Sequence, residues 1–223
     1  MNIDITTEKR MEIIEKHIQN GVVIPCVDGI IIDEASTIGA KTVILPGCII
    51  LNSNIGVDCV IGPNSYVEKS KFDDNISFKA SFCNESSVGS GTTIGPFCQL
   101  RPNTCLGRNI KIGDFVEVKN SNIADRTAIA HLTYIGDSDV GERVNFGCGT
   151  VTSNYDGNIK SRTVIGNDVF IGCNTNFIAP VVVEDDSYIA AGSTITDTVP
   201  SNSLAIARSR QENKIDWKKK KKK

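Results

Sequence analysis

The sequence predicts an all-β fold: a single-stranded parallel β-helix of about ten rungs, with a short N-terminal helix and an irregular C-terminal tail. Three observations predict it. Aliphatic residues recur at every sixth position, glycine often follows them, and aromatic residues make up only 6% of the 223 residues. A period of six fits neither an α-helix nor a long alternating strand, whereas it fits short strands joined by turns.

The N-terminal stretch "TTEKRMEIIEKHIQNG" predicts an amphipathic helix. Met11, Ile14 and Ile18 share one face, a threonine precedes the helix as its cap, and an Asn-Gly pair ends it. His17 lies on this helix and is expected at the surface. We expect residues 1–21 to form a linker-like helical segment ahead of the repeat.

The repeat itself is predicted to span residues 22–209. Each hexad contributes one short strand with one inward side chain, three hexads form one three-sided rung, and stacked rungs pair at about 4.8 Å. A β-sandwich is the minor alternative, because it needs alternation and irregular turn spacing. The two long runs are Val88, Ile94, Leu100, Leu106, Ile112 and Val118, then Ile165, Ile171, Phe177, Val183, Ile189 and Ile195.

The repeat is interrupted once, after Thr152, by the stretch "SNYDGNIKSR". A loop ejected from a regular coil often carries function, and its Asp-Gly pair favours a tight turn. Beyond the repeat, residues 210–223 are predicted to form a basic tail that crosses the outside of the β-helix. The final run, Lys218–Lys223, is expected to be solvated.

Composition excludes several classes of function. Without the six terminal lysines, 18 basic residues stand against 26 acidic ones, which argues against general nucleic-acid binding. No apolar run approaches the ~20 residues that cross a bilayer, and the N-terminus does not read as a secretory signal. Eight scattered cysteines without a CxxC pair, and only two histidines, predict a reduced cytoplasmic protein without a metal site.

Several stretches resemble a known family. "GPFCQLRPNTCLG", "IGDFVEVKNS" and "AHLTYIGDSDVGERVNFGCGTVTSNYDG" are similar to the acetyltransferase (C-terminal) domain of the bacterial bifunctional N-acetylglucosamine-1-phosphate uridyltransferase/glucosamine-1-phosphate acetyltransferase, of the hexapeptide-repeat acyltransferase superfamily. The resemblance covers nearly the whole chain and implies a left-handed coil, an exception to the usual crossover rule. No part of the sequence resembles the uridyltransferase half, which leaves open whether the chain is a lone acetyltransferase or a fragment.

The resemblance implies transfer of an acetyl group from acetyl-CoA to the amine of glucosamine 1-phosphate, a step towards UDP-N-acetylglucosamine for the cell envelope. This amine is largely protonated at neutral pH, so a base has to remove a proton as the thioester is attacked. Position alone favours a surface or turn histidine for His131. The flanking "HLTYIGD", however, matches the family's catalytic base, a role that histidine suits.

The same resemblance assigns residues that bind the substrate. Arg101 and Lys119 match phosphate- and sugar-binding positions and lie three hexads apart, so one predicted rung places them on the same edge. Tyr134 and Asn145 match residues that hold the sugar, although an isolated Asn145 equally satisfies a turn. Lys160, in the ejected loop, matches a further substrate contact and is predicted to reach a neighbouring subunit's site.

For acetyl-CoA, Asn154 and Tyr155 match the family's contact pair. Ala191 matches a position where a small side chain lets the pantetheine arm approach the coil. Arg208 matches the residue that meets the phosphates of CoA.

Cys148 and Cys173 occupy two further acetyl-CoA positions but depart from the commonest pattern, in which alanine and serine are frequent. Both side chains are small, so binding is expected to survive. Cys173 is not expected to act as a nucleophile, because no base is evident beside it.

A coil with flat faces does not enclose a ligand, and the resemblance implies a homotrimer with sites between subunits. Two alternatives stay open. One is an acyltransferase of the same fold acting on another sugar, a serine hydroxyl or a lipid-A precursor. The other is a non-catalytic assembly or regulatory module. A β-helical carbonic anhydrase is excluded, because it needs three histidine ligands and the chain has two.

Overall fold

The computed structural model describes residues 6–220 and confirms the predicted β-helix. The chain forms a left-handed parallel β-solenoid of about ten turns with three faces. One face is a nine-stranded sheet, and the other two faces are joined in an 18-stranded sheet. The faces are joined because two nine-residue strands pass through a corner without a break.

Most strands contain two or three residues, as a coil of short hexads requires. In chain order they are β1 (Ile31–Ile32), β2 (Thr37–Ile38), β3 (Val43–Ile44), β4 (Ile49–Leu51), β5 (Asn54–Ile55), β6 (Val60–Ile61), β7 (Tyr66–Glu68), β8 (Lys71–Phe72), β9 (Ser77–Phe78), β10 (Phe82–Asn84), β11 (Ser86–Val88), β12 (Thr93–Ile94), β13 (Gln99–Leu100), β14 (Thr104–Leu106), β15 (Lys111–Lys119), β16 (Asn122–Ile123), β17 (Ala128–Gly136), β18 (Ser138–Val140), β19 (Asn145–Phe146), β20 (Val151–Ser153), β21 (Thr163–Ile165), β22 (Phe170–Ile171), β23 (Asn176–Ile178), β24 (Val181–Val183), β25 (Tyr188–Ile189), β26 (Thr194–Ile195) and β27 (Leu204–Ala205).

The predicted hexad positions form the core. All twelve residues of the two long runs are buried, with Leu106 the most exposed of them at 5%. Side chains alternate along each strand, so one residue enters the narrow interior while its neighbours face outwards. Burial of each aliphatic side chain contributes about 1.5–3 kcal/mol, and the summed burial holds the rungs together.

The rungs differ in length, which corrects the prediction of uniform rungs of three full hexads. Ile31 pairs with Ile49 exactly one such rung further on, whereas the step from Tyr66 to its partner Phe82 is shorter. Some corners use one residue fewer, so the next inward side chain follows after five residues. These steps explain why the hexad runs in the sequence stop and restart.

Helix α1 spans Thr7–Gln19, as predicted. Thr6 caps it by accepting a hydrogen bond from the backbone N–H of Lys9 at 3.3 Å, and Asn20 ends it. Helix α2, in the C-terminal tail, is a single turn over Trp217–Lys220. Neither helix in the described part of the chain is long and apolar enough to cross a bilayer.

The buried face of α1 differs from the predicted one. Ile13, Ile14 and His17 are buried against the first rung, whereas Ile18, predicted on the apolar face, is 44% exposed. His17, expected at the surface, is only 7% exposed. The buried face of α1 is thus rotated about the helix axis relative to the predicted face. Ile13 and His17 are four residues apart, so they lie on the same side of the helix, next to Ile14, and pack against the coil.

Burial of His17 makes stability depend on pH. Burial, together with the neighbouring charge of Lys16, lowers the pKa of His17. The folded state therefore binds fewer protons than the unfolded chain, and stability falls as the pH drops below the unfolded pKa of about 6.5. We expect the melting temperature to fall more between about pH 8 and pH 5.5 in the wild type than in His17→Leu. Lys71→Ala, at an exposed position on β8, should behave as the wild type, and equal losses in all three proteins would contradict the assignment.

The tail that follows β27 is exposed to solvent. Ile215 is 82% exposed and Trp217 is 54% exposed. The last three residues of the predicted lysine run, 221–223, lie outside the described residues, as do residues 1–5. The domain boundaries at residues 21 and 209 stay predictions.

Candidate active site

His131 lies in β17 at the corner where this strand passes from one face to the next. Its side chain is 63% exposed, and its Nδ1 lies 3.0 Å from Oδ1 of Asp114, its partner in the parallel register. This hydrogen bond lowers the pKa of Asp114. A carboxylate at Nδ1 orients the ring and leaves Nε2 free to accept a proton. Sequence reasoning missed Asp114, since no motif marks a partner one rung away.

An exposed apolar ridge borders His131 at the same corner. It consists of Phe97, Phe115 and Leu132, which are 61%, 58% and 60% exposed, with the two phenylalanine rings stacked at 5.6 Å. Phe115 (φ 56°) and Leu132 (φ 39°) adopt the left-handed conformation, which costs an L-residue about 1–2 kcal/mol. The same conformation recurs at corners along the coil, from Lys41 to Asn202, so it belongs to the turn geometry of the rungs.

The predicted cations gather on the neighbouring face. Residues flanking Arg101 and Lys119 pair across adjacent rungs, so the two side chains lie on the same edge, as their spacing predicted. The adjacent ammonium group of Lys160, partial burial and the charge of Arg101 lower the pKa of Lys119. Arg101 donates a 2.7 Å hydrogen bond to Glu117. Three positive groups therefore lie near one another on this face, with the carboxylates of Glu117 and Asp137 beside them.

Tyr134 lies between His131 and these cations. Burial and the negative charges of Glu117 and Asp137 raise its pKa, so the phenol stays protonated near neutral pH. Its ring covers Gly136 so closely that a Cβ at this position would collide with the phenol oxygen. The glycine of "HLTYIGD" thus leaves room for the tyrosine ring in this position.

Asp137 is the buried centre of the site, only 5% exposed. Its two carboxylate oxygens accept hydrogen bonds from the side-chain amides of Asn120 and Asn154. Burial opposes its ionisation, but these amides and the charges of Lys119 and Lys160 outweigh burial and lower the pKa. Asn154, predicted to contact acetyl-CoA, thus commits its amide nitrogen to Asp137 and is itself only 9% exposed.

The ejected loop forms a small hairpin between β20 and β21. Tyr155 pairs with Lys160 in an antiparallel bridge, and Asp156 accepts hydrogen bonds of 2.7 Å from two backbone N–H groups that follow it. A tight turn is therefore present, but it is centred one residue later than the predicted Asp-Gly pair: Asp156 pairs with Ile159 across it, and Gly157 (φ 103°) rather than Asp156 is left-handed. Tyr155 is 56% exposed at the edge of the hairpin.

Arg162 fixes the end of this hairpin to the coil. It donates two hydrogen bonds to Asp139, at 2.7 and 2.8 Å, and one each to the carbonyls of Ser138 and Asn120, at 2.9 and 3.2 Å. Asp139 raises the pKa of Arg162. Because the hairpin carries Lys160, this fork sets the position of the third cation.

Arg162→Ala is expected to loosen the hairpin and to lower the free energy of unfolding by about 1 kcal/mol, since the group is partly exposed. Limited proteolysis should cut the hairpin of the variant faster than that of the wild type. Arg108→Ala, which removes an exposed ion pair with Asp125 elsewhere on the coil, is the matched control. Equal cleavage of Arg162→Ala and Arg108→Ala would contradict this role.

The predicted acetyl-CoA positions form a column along the corner that carries His131. For each pair of neighbouring rungs, the sequence separation between paired residues is the same before and after this corner, so no residue is inserted at the corner. The equivalent corner positions of successive rungs are therefore His131, Cys148, Cys173 and Ala191. All four are exposed.

Two further predicted residues lie near this column. Arg208 is at its upper end, where its Cδ would lie 3.6 Å from a Cβ built on Gly192. Asn145 is exposed on β19, one rung beyond β17. Across residues 6–220, no group of three or more histidine, cysteine, aspartate or glutamate side chains is arranged to hold a metal ion.

Comparisons with known proteins agree with this architecture. The family description "Bacterial transferase hexapeptide (six repeats)" matches residues 162–197. The bifunctional protein GlmU of Clostridium kluyveri is 51% identical over 202 residues, which are 90% of this chain and 44% of that protein. The GlmU of Clostridium botulinum (strain ATCC 19397 / Type A) is 52% identical over 215 residues, 96% of this chain and 47% of that protein. The chain thus spans about half the length of the curated relatives it matches.

Solved structures show the same fold at low sequence identity. UDP-N-acetylglucosamine acyltransferase from Campylobacter jejuni is 16% identical with a TM-score of 0.50, over 84% of this chain and 70% of that chain. The Arabidopsis UDP-N-acetylglucosamine acyltransferase is also 16% identical with a TM-score of 0.50, over 82% of this chain and 67% of that chain. At this identity the likeness concerns the fold alone.

Proposed function

We propose that this chain, a hexapeptide-repeat protein of the bacterial transferase type related to about half of the bifunctional protein GlmU, is a glucosamine-1-phosphate N-acetyltransferase. It transfers the acetyl group of acetyl-CoA to the substrate amine and gives N-acetylglucosamine 1-phosphate. One observation carries the proposal. The His131–Asp114 pair lies at one end of a column of small exposed side chains, and the strand that carries His131 also carries Tyr134 beside the three cations.

His131 acts as the general base. Asp114 holds Nδ1, so Nε2 takes a proton from the amine as the nitrogen attacks the thioester carbonyl carbon. The C–S bond then breaks, the acetyl group stays on nitrogen, and CoA leaves as its thiol after protonation. Exposure of the ring lets it meet a substrate that approaches from outside the coil.

The cations and Tyr134 bind the sugar phosphate. Arg101 offers a planar fork to a phosphate, while Lys119 and Lys160 supply point charges beside it. The neutral phenol of Tyr134 hydrogen-bonds a sugar hydroxyl, and Asn145 contributes a further polar contact. The amine is thereby held towards His131.

Acetyl-CoA lies along the corner column as a cosubstrate, and the proposed reaction uses no metal. Cys148, Cys173 and Ala191 present small side chains past which the pantetheine arm runs, and Arg208 meets the phosphates of CoA. Tyr155 contacts the same arm from the edge of the hairpin. The unpaired cysteines support a cytoplasmic location.

A homotrimer completes the site. The corner ridge of Phe97, Phe115 and Leu132 exposes apolar surface next to His131, which a neighbouring subunit covers in the proposed assembly. Sedimentation is expected to report a trimer, and a fully active monomer would contradict this part of the proposal.

The acceptor distinguishes this function from its alternatives. Thiol release from acetyl-CoA is followed with glucosamine 1-phosphate, glucosamine, serine or no acceptor. Release only with the phosphorylated amino sugar supports the proposal. Release with another acceptor would assign a different acyltransferase, and no release with any acceptor would favour an assembly module.

A further inference from the structure

Two of the eight cysteines lie next to each other on the surface. Cys148 and Cys173 are both exposed and occupy the same corner position in consecutive rungs. On one side of the pair Phe146 meets Ile171, and on the other Val151 meets Asn176, with the same separation along the chain in both cases. No residue is inserted between these pairings, so Cys148 and Cys173 are direct neighbours.

The backbones at this corner touch. The N–H of Asn174 donates to the carbonyl of Cys148 at 2.8 Å, and a Cβ built on Gly147 would lie 2.5 Å from the nitrogen of Cys173. Neighbouring parallel strands lie about 4.8 Å apart, and paired residues direct their side chains to the same side. A disulfide needs Cα atoms about 4.4–6.8 Å apart, so the rung spacing meets this requirement.

The remaining cysteines lack this arrangement. Cys105 is also exposed, but its partners in the adjacent rungs are Ser87 and Asn122. Cys26 is partly buried, and Cys48, Cys59, Cys83 and Cys98 are buried in the coil. Cys105 is therefore an internal control: an exposed thiol without a thiol neighbour.

We propose that Cys148 and Cys173 are a modification site that forms an intramolecular disulfide with a low-molecular-weight disulfide as oxidant. The thiolate of one cysteine attacks the oxidant, releases one thiol and leaves a mixed disulfide. The second cysteine attacks its neighbour's sulfur and releases the second thiol. The two cysteines lose two hydrogens and the oxidant is reduced to two thiols, so the step balances.

This bridge lies across the column assigned to acetyl-CoA. The linked sulfur atoms lie on the outer surface of the two rungs that follow the rung of His131, at the same corner. Their rigid link fills the surface along which the pantetheine arm runs. The oxidised protein therefore does not bind acetyl-CoA, and bound acetyl-CoA protects the thiols. This consequence for binding rests on the proposed function, whereas formation of the disulfide does not.

The test uses the full chain and oxidised glutathione, followed by alkylation of free thiols and mass analysis of the peptides. The wild type is expected to give a peptide pair linked through Cys148 and Cys173, with glutathione found on Cys105. Cys148→Ala and Cys173→Ser should each carry glutathione on the remaining cysteine. Glutathione adducts on both cysteines of the wild type, or two free thiols, would overturn the proposal.

Activity separates the two proposals. Oxidation is expected to abolish acetyl transfer in the wild type and in Cys105→Ser, and dithiothreitol should restore it. In Cys148→Ala/Cys173→Ser, the ratio of oxidised to reduced activity should stay near one. A linked peptide pair in a protein with no acetyl transfer before oxidation would overturn the function and leave the thiol pair standing. Full activity of the linked form would overturn the effect on acetyl-CoA.

Discussion

Replacing His131 by alanine is expected to lower kcat by about 10²- to 10⁴-fold, the contribution of a positioned general base. The amine of the substrate is mostly protonated at neutral pH, and Nε2 of His131 is the nitrogen left free to deprotonate it once Asp114 holds Nδ1. The imidazole is 63% exposed and contributes no core packing. The variant should therefore keep the wild-type melting temperature and oligomeric state.

Steady-state kinetics with glucosamine 1-phosphate and acetyl-CoA measure this effect. KM for both substrates should change little, because the base acts on the reacting proton more than on ground-state binding. Lys71→Ala, an exposed residue on the nine-stranded face, is the matched control and should keep wild-type kcat. Turnover within about threefold of the wild type in His131→Ala would remove this residue from the role of base.

Asp114→Asn tests how the ring is held. The amide keeps a hydrogen-bonding atom near Nδ1 but removes the charge, so the ring is less strongly oriented. We expect a smaller loss of kcat than in His131→Ala, and no further loss when the two changes are combined, because Asp114 acts only through the imidazole. Additive losses in the double variant would show that Asp114 acts independently.

The fold is predicted from the sequence because the apolar residues whose burial stabilises it recur at regular intervals. The inward residues, such as Ile94 and Ile171, recur at intervals that only a coil of short strands satisfies, and the structure buries them. The length of each rung is not predicted, because no residue type marks the corners at which consecutive inward side chains are five residues apart instead of six. The face of α1 is missed for a related reason: His17 is polar by type, yet tertiary packing buries it.

The residues of the candidate site likewise fall into those that the sequence indicates and those that only the structure brings together. The sequence assigns His131, Arg101 and Lys119 to the candidate site because local stretches resemble a family, and the structure places Arg101 and Lys119 one rung apart, as their spacing predicts. Asp114 and Asp137 are missed because their roles arise from pairing across rungs of unequal length. Asp114 meets His131 from the preceding rung, at a separation along the chain that neither a motif nor a constant period of three hexads indicates.

Asp137→Asn is expected to lower the free energy of unfolding by about 2 kcal/mol and to raise KM for glucosamine 1-phosphate about tenfold. The replacement has the same size, and asparagine tolerates the left-handed conformation of this residue (φ 49°). The new amide, however, meets two amide donors, from Asn120 and Asn154, with only one acceptor atom. One buried donor is left without a partner, and the nearby lysines lose their counter-charge.

The same network makes the effect depend on pH. The pKa of Asp137 is lowered in the folded protein, so its stabilising contribution is present above the unfolded pKa of about 3.9 and is lost as the pH falls towards the lower folded value. Chemical denaturation should therefore show a difference between wild type and Asp137→Asn that is full at about pH 7 and shrinks below about pH 4. Asp197→Asn, at an exposed position, should match the wild type at both pH values. A constant difference across this range would mean that the charge of Asp137 does not stabilise the site, and that the three cations are held by Arg162 and the hairpin alone.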